Sequence, residues 1–130
     1  MSAVVTVEIA PGELIDKITI LEIKSERIAD AGKLANVRLE LQVLAETRDA
    51  ALPVSDALTR LTADLKRVNE TLWQIEDDIR DCERAGDFGP RFIQLARDVY
   101  ITNDRRAALK RDINVLLGSR LVEEKSYQPY

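Results

Sequence analysis

Leu58, Leu61, Leu65, Val68, Leu72, Ile75, Ile79 and Cys82 follow one another in alternating steps of three and four residues, the a and d positions of four successive heptads. A repeat averaging ~3.5 residues lines one narrow face of a helix, and that face has to be buried against another helix. No other segment constrains the fold so tightly. It specifies a helical scaffold and leaves the chemistry open.

Punctuation in the sequence divides the rest of the chain around this segment. Pro11 and Gly12 open a first helix that is expected to run to about Asp30, with Leu14, Ile18, Leu21 and Ile28 on one face, until Gly32 breaks it. A second helix, Lys33 to Leu52, carries Leu34, Val37, Leu41 and Leu44 and stops at Pro53. Ser55 is placed to cap the third helix, Ser55 to Ala85, which contains the heptad seam and would be about 45 Å long. Gly86-Asp87-Phe88-Gly89-Pro90 makes a tight reversal into a fourth helix, Pro90 to Leu117, ended by Gly118. The fourth seam reads Phe92, Leu95, Val99, Thr102, Arg106, Leu109, Ile113 and Leu116, with two polar members at its centre. Thr102-Asn103-Asp104 has the composition of an N-cap cluster, so a kink or restart there is the alternative to one continuous helix.

The expected fold is all-α: an antiparallel four-helix bundle dominated by a long hairpin of the third and fourth helices. The chain reads as a single helical domain over 1–130, with an extended N-terminal segment at 1–10, the bundle at 11–117 and an extended C-terminal tail at 118–130. In the N-terminal segment, Val5, Val7 and Ile9 alternate with Val4, Thr6 and Glu8, a half-buried strand pattern. Its partner is expected to be its own copy in a dimer or the stretch Leu121 to Tyr127. The third and fourth helices exceed the first two by about half, which leaves seam unpaired within one chain and points to a homodimer.

Composition excludes several function classes. With no histidine, the commonest general base, the commonest transition-metal ligand and every Ser-His or Cys-His pair are missing. Nineteen basic and 23 acidic residues give a net charge of −4, which disfavours a nucleic-acid partner; the basic run Arg105, Arg106, Lys110 and Arg111 is mixed with Asp104 and Asp112 and has no aromatic platform. The acidic cluster Glu76, Asp77, Asp78, Asp81 and Glu83 diverges around one helix, so no metal or other cofactor is expected. Cys82, alone in the chain, reads as a small apolar filler at a d position. Neither a signal peptide nor a run of ~20 apolar residues is visible, so no membrane insertion and a cytoplasmic location are expected.

Beside the third seam runs a second line at helical spacing: Asn69, Trp73, Glu76, Arg80 and Glu83. A matching line on the fourth helix holds Ile93, Arg97, Tyr100, Asp104, Ala107, Arg111 and Asn114. Folding the hairpin about Phe88 is expected to set Asp77 near Arg97, and Glu70 near Arg105 and Arg106. These lines read either as interhelical ion pairs or as a polar groove walled by Trp73 and Tyr100, in which Arg97 and Arg111 offer bidentate donors to a carboxylate, phosphate or sugar. Secondary candidates are Asp16, Lys17, Lys24 and Arg27, which interrupt an apolar first helix, and Tyr127 in a tail expected to dock on the bundle or on a partner. Asp16 or Lys17, if buried, needs an opposite charge from Arg27, Glu13 or the fourth helix.

The strings PGELIDKITILEIKSERI at 11–28, VNETLWQIEDDIR at 68–80, FIQLARDVYITNDRRAALKRDIN at 92–114 and EEKSY at 123–127 resemble a small family of uncharacterised bacterial and viral proteins, a domain of unknown function about as long as this chain. That resemblance covers nearly everything from Pro11 onward and implies no activity, cofactor or catalytic residue. A looser resemblance is to the helical chorismate mutases, small intertwined dimers, through Ile15-Asp16 and Arg27. It implies a histidine-free enzyme that stabilises a dianionic rearranging ether with Arg and Lys. The chain departs from that pattern at Lys33, which follows Arg27 too soon, and lacks the later Arg-Asp-Arg-Glu-type helix start. The function expected from the sequence is therefore a non-catalytic interaction or accessory protein, homodimeric, with an unidentified protein partner. The alternative is a small anionic-ligand protein or chorismate-mutase-like enzyme using the Arg/Tyr/Trp groove.

Overall fold

A computed structural model describes residues 3–130. Four helices make up its secondary structure: α1 (Pro11–Arg27), α2 (Ala31–Ala51), α3 (Asp56–Ala85) and α4 (Pro90–Leu116). The described residues contain no strand.

Local chemistry sets the ends. Ile28 is extended and closes α1, while the Asp30 carboxylate accepts a hydrogen bond from the Lys33 backbone N–H at 2.9 Å and so caps α2. Gly32 therefore lies inside the first turn of α2 and does not break α1 as its identity suggests: a side-chain cap two residues earlier takes precedence. Ser55 caps α3 by accepting from the Leu58 N–H at 3.1 Å. Gly86 ends α3 in the left-handed conformation at φ 66°, a geometry that favours glycine. α4 runs unbroken through Thr102-Asn103-Asp104. Thr102 is buried there, so its side chain serves the packed face instead of capping a new helix.

α3 and α4 meet through their seams in two separate clusters. Near the loop, Ile75 and Cys82 pack with Leu95, flanked by Ile79, Phe92 and Val99. At the other end, Leu58 and Leu65 pack with Ile113 and with Ile15 of α1. Between these clusters α1 crosses the hairpin. Asp16 and Arg27, about three turns apart on α1, both reach the short α3 stretch from Lys66 to Glu70, so α1 passes over α3 obliquely. The crossing is tight at Gly12: its N–H donates to Asn114 Oδ1 at 2.7 Å, and a Cβ there would lie 2.4 Å from the Lys110 carbonyl oxygen.

α2 packs against α1 and against no other helix. Val37 is its one buried residue, and Leu39 and Val43 stay exposed on the opposite side. Residues shared by a common core thus come from α1, α3 and α4.

The segment from Ala3 to Ile9 is exposed and forms no ladder with the C-terminal tail; Glu8 and Arg120 make an ion pair between them. The tail itself lies along α4. Glu123 meets Lys110 at 2.8 Å, Glu124 meets Arg111 at 3.8 Å, and the Tyr130 ring stands 5.1 Å from that of Tyr100.

Candidate functional site

The core of the molecule is interrupted where α1, α3 and α4 cross, and four polar residues fill the gap. Asp16 is 1% exposed. Its carboxylate accepts from both Nε (2.9 Å) and Nη2 of Arg106, the two-pronged geometry that suits a planar guanidinium, and from Asn69 Nδ2 at 2.9 Å. Asn69 Nδ2 also donates to Thr19 Oγ1 at 2.9 Å, while the Thr19 hydroxyl donates to the Asp16 carbonyl at 2.8 Å. No fully buried side-chain nitrogen or oxygen among the described residues is left without a partner. A buried charge is tolerated only under such complete pairing.

The electrostatics follow from this arrangement. Burial favours the neutral carboxyl, yet the hydrogen bonds from Arg106 and Asn69, and the charges of Arg106 and Lys110, outweigh it and hold Asp16 below the ordinary carboxylate range. The Asp16 hydrogen bond in turn raises Arg106 above its already high value. One turn further along α4, Lys110 is also buried and bridges Glu13 of α1 (2.7 Å) and Glu123 of the tail (2.8 Å). Its desolvation is overcome by those two carboxylates, so the ammonium titrates above the usual lysine value.

Arg106 is 31% exposed. Its open side, with Asn69, Trp73, Glu76, Asp77 and Arg80 of α3, Ile20, Ile23 and Lys24 of α1 and Asn103 of α4, lines a cleft of about 450 Å³. Glu76 pairs with Arg80 at 3.1 Å. Arg27 lies 5.9 Å over the Trp73 ring and 4.0 Å from Glu70. Lys24 meets no carboxylate within 4.0 Å among the described residues.

Of the line of residues expected on α3, Asn69, Trp73, Glu76 and Arg80 border one cleft, while Glu83 is exposed outside it. The matching line on α4 does not join them. Tyr100 and Asp104 lie under the tail, where Tyr130 stacks on the first and hydrogen-bonds the second. Arg111 and Asn114 border a smaller pocket of about 200 Å³ with Lys110, Glu123 and Lys125, and Asn114 is committed to Gly12. Arg97 is exposed on α4 and lies outside this cleft. α1 separates the two lines: it lies across the hairpin and supplies nearer partners than the neighbouring helix does. The pairs expected between the long helices are displaced for the same reason. Glu70 goes to Arg27 and Arg106 to Asp16, while Asp78 and Arg91 make the α3–α4 ion pair at 3.8 Å.

Of the secondary candidates, Asp16 is the buried member of the pair with Arg106, and Lys24 borders the cleft. Lys17 is exposed, 3.7 Å from Glu13. Tyr127 is exposed, with Lys125 5.9 Å over its ring. Asp16 and Arg27, which resemble a chorismate mutase pattern, serve different neighbours: Arg106 for the first, Glu70 and Trp73 for the second. The sequence places Arg106 in the α4 seam and offers Glu13 or the fourth helix as partner to a buried Asp16, but it marks none of Arg106, Asn103, Lys110 and Glu13 as a residue of the groove. The available signal was the pair of polar residues at the centre of the α4 seam.

The fold and this site define an all-helical protein organised round a buried Asp–Arg pair, with no cluster of metal-ligating side chains and no helix long and apolar enough to cross a membrane among the described residues. The chain belongs to a family of unknown function, DUF6165, whose model matches residues 5–130. No curated protein and no solved structure matches it.

Proposed function

We propose that the protein is a non-catalytic assembly module that pairs with a second copy of itself through the segment from Ala3 to Ile9. One observation supports this reading above others. The segment is apolar and forms neither helix nor strand, Val5 is 86% exposed, and the C-terminal tail does not supply a strand for it. Of the two partners its alternation suits, a second copy is the one left. An extended segment with unpaired backbone N–H and C=O groups is a template for strand addition. A two-stranded ribbon is marginal alone, so it needs apolar surface to lie on. Val115 and Leu116, exposed at the end of α4 just beyond Asn114, provide such surface beside Gly12 at the start of α1.

Sedimentation of the full chain across a concentration series tests this. The expected result is a dimer that dissociates on dilution and is lost in the Val5→Lys variant, with helical circular dichroism unchanged. A monomer at every concentration, or a dimer indifferent to Val5→Lys and Val7→Lys, refutes it. In the latter case the exposed α2 face carrying Leu39 and Val43 becomes the interface.

A further inference from the structure

We propose that the cleft between α1, α3 and α4 binds a hydroxylated ring carrying one acid group, the chemistry of a sugar acid or sugar phosphate, with the acid held by Arg106 and Lys24 and the ring lying against Trp73. This is independent of assembly through the N-terminal segment.

Arg106 has hydrogen-bond donors to spare. Two of its five N–H donors are fixed on the buried Asp16, which leaves three on a side chain that lines the cleft. A guanidinium anchored from behind loses little freedom when it meets a ligand, so its remaining donors are already organised for a carboxylate or phosphate. Charge then selects the ligand. Asp16 offsets Arg106 and Glu76 offsets Arg80, which leaves Lys24 as the cation without a carboxylate partner in the lining and Asp77 as an acceptor at its exposed rim. With Asp77 counted the lining carries no net charge, and an acid group on the ligand would give Lys24 the close partner it lacks. A polyanion would meet Glu76 and Asp77.

The remaining lining is matched to a ring with polar edges. Trp73 is half-buried and shares the lining with Ile20 and Ile23, while Arg27 stands 5.9 Å over its ring, so the ligand ring is placed against the part of the indole that borders the cleft. The Asn103 amide and the Asp77 carboxylate are the neighbouring hydrogen-bonding groups, suited to hydroxyls. At about 450 Å³ the cleft falls in the range of small-molecule sites. Neither a bare ion nor a neutral sugar uses both halves of it.

Trp73 is the sole tryptophan, so its fluorescence reports on this cleft alone. The full chain is titrated with glucuronate, glucose 6-phosphate, inorganic phosphate and glucose, and binding is also followed by thermal stabilisation. Saturable change with glucuronate or glucose 6-phosphate is expected, with inorganic phosphate and glucose weaker by about tenfold or more. Lys24→Met is expected to weaken the acid-bearing ligands about tenfold while the unliganded melting point is kept, since Lys24 holds no ion pair. Trp73→Phe, followed by melting, is expected to weaken them without abolishing the fold. No saturable response to either acid-bearing sugar up to about 20 mM, equal binding of inorganic phosphate, or undiminished binding by a folded Lys24→Met variant overturns the proposal. Dimerisation, measured separately by sedimentation, has no bearing on any of these outcomes.

Discussion

Removing Arg106 tests whether the polar crossing of α1, α3 and α4 is held by charge. Asp16 is 1% exposed and accepts three hydrogen bonds, two of them from Arg106. In Arg106→Ala the Asn69 bond survives, but the carboxylate is left buried with only the charge of Lys110, which makes no ion pair with it, to offset its own. Breaking a buried pair in this way costs about 3–5 kcal/mol, against a total stability of about 5–15 kcal/mol for a domain. At ~3–5 °C per kcal/mol for a chain of this size, the expected fall in Tm is on the order of 10–20 °C at neutral pH. The converse variant, Asp16→Asn, leaves Arg106 without its charge partner, but Arg106 is 31% exposed and water solvates it. Its expected cost is smaller, about 1–2 kcal/mol.

The pH dependence separates charge from simple packing. In the wild type Asp16 is held below its ordinary value, so the unfolded chain binds the extra proton as acid is added. Its contribution is complete above the unfolded carboxyl value and is lost as the pH falls through the folded one. In Arg106→Ala, burial acts with much less opposition and pushes Asp16 the other way. Stability attributable to this group then falls as pH rises from the unfolded carboxyl value toward the raised folded one. Urea unfolding followed at 222 nm between about pH 3 and pH 7 therefore gives a gap between the two proteins that widens with pH. A gap that stays constant, or a loss below about 1 kcal/mol at neutral pH, refutes the reasoning, because it means Asp16 is neutral or solvated in the folded protein.

Gly12→Ala is expected to cost about 1–3 kcal/mol or more by urea denaturation, because the new Cβ would meet the Lys110 carbonyl at 2.4 Å and α1 would have to move off α4. Lys110→Met removes the buried ammonium that joins Glu13 to Glu123, and limited proteolysis is expected to cut the tail near residues 121–127 faster, an effect that ~1 M salt reproduces only weakly because Lys110 is shielded from solvent. Amide exchange is expected to be faster in α2 than in α1 or α3, since α2 buries Val37 alone and packs only on α1; equal protection would show that a partner covers it.

What was legible in the sequence, and what was not, divides along physical lines. Apolar periodicity is local, so the seam from Leu58 to Cys82 and the ends of the long helices could be read directly. The Asp16–Arg106 pair joins residues 90 positions apart, and no spacing rule links two charges on different helices. Read along the chain, each member looks like a defect: a carboxylate in an apolar first helix, and an arginine in a seam. Arg106 and Thr102 together made the middle of α4 resemble a break. Arg106 lies where α1 crosses, and there the hairpin needs a side chain that can satisfy a buried carboxylate instead of a neighbouring leucine; Thr102, a turn away, faces α3 beside Val68 and Thr71. The polar gap in the seam is thus the docking point of a third helix. The same crossing explains why the α3 line of Asn69, Trp73, Glu76 and Arg80 gained Lys24 and Asn103 as neighbours while Tyr100, Asp104 and Arg111 were lost to the tail. An antiparallel count along two helices predicts the facing residues only while no third helix intervenes. Where one does, a buried charge marks the intrusion more reliably than the repeat it interrupts.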